Sequence, residues 1–166
     1  DSISKLENNN GRIGVMATKT TVDSKVFETE FKKKNSLIKV FTKACPLLVS
    51  LVEKGQHNLP ESEVVLKKYL KPLLAKKVDT LILGCTHFGY FKKQIRQIIG
   101  SSILLVSADV TVPIRLENYL ERHPELKINS SKKPKRFFYT TDQTERFKLL
   151  GSRILGQKIN PERISV

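Results

Sequence analysis

Two cysteines are all that 166 residues supply, and Cys45 and Cys85 lie far apart with no Cys-x-x-Cys pair between them. That excludes a disulfide-stapled scaffold and a zinc ribbon. His57, His87 and His123 add no pair at metal-ligand spacing, so no metal is expected. Aromatic residues make up only 7% and do not interleave with the basic ones, as a base-stacking platform requires. No apolar run approaches the roughly 20 residues of a spanning helix, and Asp1 to Asn10 is too polar for a secretory signal. A cytoplasmic protein without a membrane partner is the expectation. Acidic residues are scarce: 16 Asp+Glu face 30 Lys+Arg, giving +14 and a pI near 9.9. The lysines fall in short clusters (Lys32 to Lys34, Lys67-Lys68, Lys76-Lys77, Lys92-Lys93, Lys132-Lys133), each at a helix end or turn where solvated charge costs little. The excess therefore reads as lysine-rich composition, which argues against nucleic acid as a primary partner.

What is present is enough for a core: 39% hydrophobic and 28% charged residues describe a globular chain. Strand-like and helix-like segments alternate. Arg12 to Thr18 is a short apolar run, followed by a helical segment from Thr21 to Lys34 with Val22, Val26 and Phe27 on one side. Leu37 to Thr42 reads as a second strand, and Pro46 to Lys54 as a short helix opened by proline and closed by Gly55. Glu61 to Lys77 carries Leu66, Tyr69, Leu70, Leu73 and Leu74 at helical spacing, with Pro72 set to kink or split it. Asp79 to Gly84 is apolar without alternation, the mark of a strand covered on both faces. A helix from Phe88 to Ile99, a strand from Ile103 to Val106 and a helix from Asp109 to Glu121 follow, Pro113 being expected only in a first turn. His123 to Pro134 is polar and turn-rich. Arg136 to Thr140 is strand-like, Asp142 to Leu155 helical, and Glu162 to Val166 a last short strand.

This alternation predicts an α/β fold with a mainly parallel sheet sandwiched by helices. Ligands bind such sheets at the carboxyl ends of strands. Three polar or reactive clusters fall there: Thr18 to Thr21, Ala44-Cys45-Pro46, and Gly84-Cys85-Thr86-His87. Cys85 sits where a buried strand gives way to a helix, whose amino end favours thiolate over thiol. His87 can exchange a proton with the sulfur, and Thr86 can offer a hydroxyl to a carboxylate or amine. The plainer alternative is a small cysteine packed after a strand, with His87 as an ordinary surface or core residue.

Gly84-Cys85-Thr86-His87 after Asp79-Thr80-Leu81-Ile82-Leu83 resembles the second catalytic-cysteine motif of glutamate racemases. Three further segments resemble that family in its own order: Ile13 to Val22 with its threonine loop, Ala44-Cys45-Pro46-Leu47-Leu48-Val49 with Leu51 to Gly55, and Phe137 to Asp142. The resemblance implies a cofactor-independent isomerase that interconverts L- and D-glutamate for peptidoglycan synthesis. Two thiols on opposite faces of the α-carbon remove and return its proton. It implies Cys85 as one of those thiols, with His87 in the chemistry and at the substrate. Thr86, Thr21 and Thr18 are implied as substrate-binding residues, and Glu53 matches a family glutamate to which no role is given.

It also implies the C-terminal part of such an enzyme: residues 11–107 as its second α/β domain and 108–166 as a segment completing the first. The family's earlier segment, which carries an Asp-Ser motif, a Tyr-Gly motif and the other catalytic cysteine in an Ala-Cys-Asn-Thr setting, has no counterpart among these 166 residues. Cys45, in an Ala-Cys-Pro setting, matches a non-catalytic cysteine. The family's Tyr-Pro after the histidine is Phe88-Gly89 here, and its aspartate-serine after the following strand is Ser107-Ala108-Asp109. The expected partners are glutamate and the missing amino-terminal segment, with a homodimer left open. Alone, the chain is expected to be inactive and to leave Phe137, Phe138, Phe147 and Leu150 poorly covered. Two alternatives stand beside this reading: a related racemase acting on aspartate, and a non-catalytic basic binding module.

Overall fold

The computed structural model describes residues 11–126 and 135–165. Asp1 to Asn10, Lys132-Lys133 and Val166, the end of the expected last strand, lie outside the described residues. The chain divides into two compact units, residues 1–119 and 120–166.

The first unit is built on four parallel strands in the order β2-β1-β3-β4: β1 Arg12–Ala17, β2 Lys39–Ala44, β3 Thr80–Leu83 and β4 Leu104–Ser107. Helical crossovers join them: α1 Lys19–Asp23 and α2 Val26–Lys34, then α3 Pro46–Glu53 and α4 Pro60–Ala75. After β3 come a 3-10 turn, Thr86–Phe91, and α5 Lys92–Ile99. α6 Ala108–Arg122 follows β4. The parallel α/β architecture read from the sequence is the one observed. Alternate residues of each strand serve opposite faces. Ile13, Val15 and Ala17 of β1 pack with Val22, Phe27 and Phe31 of α1 and α2. Met16, Leu81 and Leu83 join Leu48, Leu66, Leu70, Phe88, Phe91 and Ile95 on the other face.

Several boundaries differ from expectation, each for a local reason. The single helix Thr21 to Lys34 is broken in two at Lys25, whose φ of 52° is left-handed. Five residues separate Val22 from Phe27, about 140° out of phase on one helix, so both reach the sheet only if the helix restarts. Val26, expected inside, is exposed. β2 begins two residues late because the Asn35 side chain accepts the Leu37 N–H at 2.9 Å, forming a turn that leaves Leu37 81% exposed. Pro72 neither splits nor ends α4: it is exposed, and only one backbone bond is lost there. Thr86–Phe91 is a 3-10 turn rather than the start of an α-helix, since a period of three aims both Phe88 and Phe91 into the core. Pro113, expected in a first turn, lies in the second turn of α6.

The second unit contains the last turn of α6, a 3-10 turn Pro124–Leu126, and β5 Tyr139–Thr140 and β6 Glu162–Arg163. α7 Thr144–Leu155 joins these two parallel two-residue strands. Gly151 permits a close approach, because a Cβ there would stand 2.5 Å from Ile159. Of the four residues expected to lack cover, Phe137 and Phe147 are exposed, whereas Phe138 and Leu150 are half-buried.

Candidate active site at the carboxyl end of the sheet

Strand register sets the site. Met16 of β1 pairs with Lys43 of β2 on one side and Leu83 of β3 on the other. The Gly84 N–H donates to the Met16 carbonyl at 2.8 Å and the Cys45 N–H to the Ala17 carbonyl at 2.9 Å. Thr18, Cys45 and Cys85 therefore leave three adjacent strands at one level. The three clusters expected at strand ends are brought together.

Thr18 caps α1: its hydroxyl accepts the Thr21 N–H at 3.4 Å, and the two threonine hydroxyls lie 2.9 Å apart. Free amide groups at the start of this turn and two paired hydroxyls suit a carboxylate or amine. Gly84 sits in tight packing. A Cβ there would come within 3.1 Å of the Phe27 ring and 3.2 Å of the Met16 carbonyl. The residue before the cysteine is thus wedged between α2 and β1.

Cys85 itself is half-buried and extended, leading into the 3-10 turn. A six-residue 3-10 segment replaces the α-helix amino end expected to prime the sulfur, so the helix dipole contributes less than the sequence suggested. The sulfur's neighbour is a side chain: Cys85 Sγ lies 3.8 Å from His87 Nδ1, within hydrogen-bonding reach for sulfur. On the far side of the ring, His87 Nε2 faces Glu53 Oε1 at 3.7 Å, both side chains being about a third exposed (31% and 28%). α3 packs against the 3-10 turn, and that contact brings Glu53 to His87. Sequence reasoning gave Glu53 no role, and no spacing rule links a helix end to a histidine 34 residues on. Thr86 is exposed at the head of the turn.

Cys45 is a different kind of thiol. It has no exposed surface, and its S–H donates to the Lys43 carbonyl at 3.3 Å. Burial pushes its pKa up to about 12, against smaller lowering effects of the Lys43 charge and of a backbone hydrogen bond at Ala17. It is a packing residue, as its Ala-Cys-Pro setting suggested. Among the described residues no cluster of three His, Cys, Asp or Glu is arranged to hold a metal ion, and no helix is long and apolar enough to cross a membrane. Two cavities, of about 390 and 510 Å³, lie along β4 and α6, lined by residues such as Val106, Thr111 and Ile114, and neither reaches Cys85.

Comparison with known proteins gives the family and the fold. The chain is 38% identical over 151 residues to glutamate racemase 2 of Caldanaerobacter subterraneus subsp. tengcongensis, covering 91% of this chain and 56% of that protein. It is 36% identical over 148 residues to a glutamate racemase of Neisseria meningitidis serogroup A, covering 89% and 54%. The fold superposes on glutamate racemase isoform RacE1 from Bacillus anthracis with a TM-score of 0.87 at 28% identity, over 99% of this chain and 62% of that one. For the Francisella tularensis glutamate racemase in complex with D-glutamate the TM-score is 0.84 at 31% identity, over 98% and 60%. The chain spans a little over half the length of these relatives. Residues 2–112 match the Asp/Glu/hydantoin racemase profile, and the chain belongs to that family.

Proposed function

We propose that this chain supplies one half of a cofactor-independent glutamate racemase, with Cys85 as the acid/base on one face of the substrate α-carbon. Inverting that carbon requires one group to take its proton and another, across the carbon, to return one. The observation that carries the reading is the sequence of contacts from Cys85 Sγ through His87 to Glu53, level with the hydroxyl pair of Thr18 and Thr21. His87 holds the proton that leaves or enters the sulfur, and Glu53 steadies the ring and its positive charge. Thr18, Thr21 and Thr86 bind the amino-acid head group.

The opposite thiol is not Cys45, which is buried and held as S–H. It comes from a segment beyond these 166 residues, the partner that residues 108–166 are proposed to complete. Glutamate as substrate is supported by the relatives' names and by the Francisella enzyme's D-glutamate complex. On this reading the enzyme is cytoplasmic and its product serves peptidoglycan synthesis.

The test is D-glutamate formation from L-glutamate, followed by optical activity. It compares the chain alone with the chain joined to the amino-terminal part of a glutamate racemase relative. We expect turnover only in the joined protein, and its loss with Cys85→Ser. Robust turnover by the chain alone would contradict the two-thiol requirement. Equal turnover with Cys85→Ser would remove Cys85 from the chemistry.

A further inference from the structure

The lysine clusters that are scattered along the sequence are gathered by the fold. In a parallel sheet with helical crossovers, the carboxyl end of each helix returns to the amino end of the next strand. α2 closes on Lys32, Lys33 and Lys34, and α4 runs out through Lys76 and Lys77, each just ahead of a strand. Lys39 opens β2 directly beside Arg12, which opens β1. Backbone contacts tie these pieces into one rim: the Lys39 N–H donates to the Gly11 carbonyl at 2.8 Å, and Arg12 Nε to the Lys76 carbonyl at 2.7 Å. The Arg12 guanidinium and the Lys76 ammonium stand 4.9 and 5.9 Å from the centre of the same Phe41 ring.

Gathering like charges is unfavourable, and neighbouring strand positions of one sign repel. The helix dipole accounts for cations in the last turn of α2. It does not account for Arg12 and Lys39, which are strand residues. Glu30 is held by Lys33 at 2.7 Å, and Asp79, which accepts the Arg12 N–H at 2.8 Å and the Thr80 hydroxyl at 2.9 Å, offsets one further charge, so cations stay in excess at the rim. Lys34, Lys39, Lys76 and Lys77 are all exposed. The rim lies at the amino end of the sheet, opposite the Cys85 cluster, so it is separate from the racemase site.

We propose that this rim docks on the phosphate backbone of a nucleic-acid duplex, without reading its sequence. Backbone contact needs exposed cations and little else. Stacking on single strands needs an open aromatic face, and Phe41 is half-buried beneath two cations. Insertion into an anionic membrane needs an apolar face, and this rim offers mainly Leu37. The sequence reading set nucleic acid aside because each cluster had its own local explanation; the topology supplies the collective one.

The test measures binding of the 166-residue chain to a mixed-sequence 20-base-pair duplex by fluorescence anisotropy from 50 to 200 mM salt. With about four phosphates neutralised, affinity is expected to fall roughly 100-fold over that range. Lys34→Gln, Lys39→Gln, Lys76→Gln and Lys77→Gln together are expected to weaken binding at least tenfold at the lowest salt. The charge-matched set Lys67→Gln, Lys68→Gln, Lys71→Gln and Lys93→Gln is expected to weaken it less than threefold. Amine labelling of the unmodified chain, mapped by mass spectrometry, is expected to show duplex protection at the rim lysines and none at Lys67 and Lys68. Equal loss in both variant sets, uniform labelling, absence of binding at 50 mM salt, or tighter binding to phosphatidylserine vesicles or polyglutamate than to the duplex would each overturn the proposal.

Discussion

The loops after β2 and β3 begin at the same level of the same sheet, each with a cysteine, and their surroundings differ. After β2, Pro46 starts an α-helix at once, and Cys45 is drawn beneath it with no surface left and its S–H turned to a carbonyl. After β3, the 3-10 turn spends its apolar residues, Phe88 and Phe91, on the core and leaves Cys85 and His87 half-open. Position in the fold brings both cysteines to one end of the sheet, and the first turn after the strand decides how far each thiol is buried.

The sharpest way to break this contrast is to exchange the cysteines' fates. In the joined, active protein, Cys85→Ala is expected to lower kcat by at least about 10³-fold, since a reacting group is removed, while Cys45→Ala leaves kcat within about threefold. Equal losses would erase the distinction. Next in size, His87→Asn is expected to cost roughly 10²-fold in kcat with a smaller change in KM, as for a lost proton carrier. Glu53→Gln acts through His87, and its effect is expected to be smaller and to shift the pH–rate profile. Gly84→Ala tests the wedge before Cys85: with Phe27 and Met16 already in contact, the added methyl is expected to destabilise the fold by about 1–3 kcal/mol in urea unfolding. The smallest effect concerns pH. Cys45 is raised from 9.0 to about 12 in the folded chain, so its buried thiol supports the fold fully below pH 9. Above that, the unfolded chain loses the proton first. Stability is expected to fall by up to about 1.4 kcal/mol per pH unit relative to Cys45→Ala, measured by urea unfolding between pH 8 and 10.5.

Much of this could be read from the sequence where a single local rule decides. Leu81 to Leu83 is apolar without alternation because β3 is central and covered on both faces. Pro46 and Gly55 bracket α3 closely. Reading failed where a tertiary contact overrode local pattern. Nothing near Lys25 signals a break; the demand comes from Phe27, which must reach Gly84 while Val22 reaches the same face of the sheet. The family resemblance marked Cys85, His87, Thr18 and Thr21, and register places Thr18 and Cys85 at one level. Glu53 meets His87 only through the packing of α3 on the 3-10 turn, a contact between segments with no shared periodicity. The charged rim was invisible for a similar reason, because crossover topology, and not spacing, makes neighbours of helix ends.

The break at Lys25 has a mechanical outcome. It frees the short threonine-bearing helix from the long one behind it, yet the long helix begins with the ring that presses on Gly84. The two helices are therefore oriented by separate contacts, the hydroxyl-bearing one by its Thr18 cap and the longer one by its packing on the sheet. The thiol-bearing loop is held through Gly84 between Phe27 and Met16, so the level at which Cys85 leaves the sheet is set by the strands and helix beneath it.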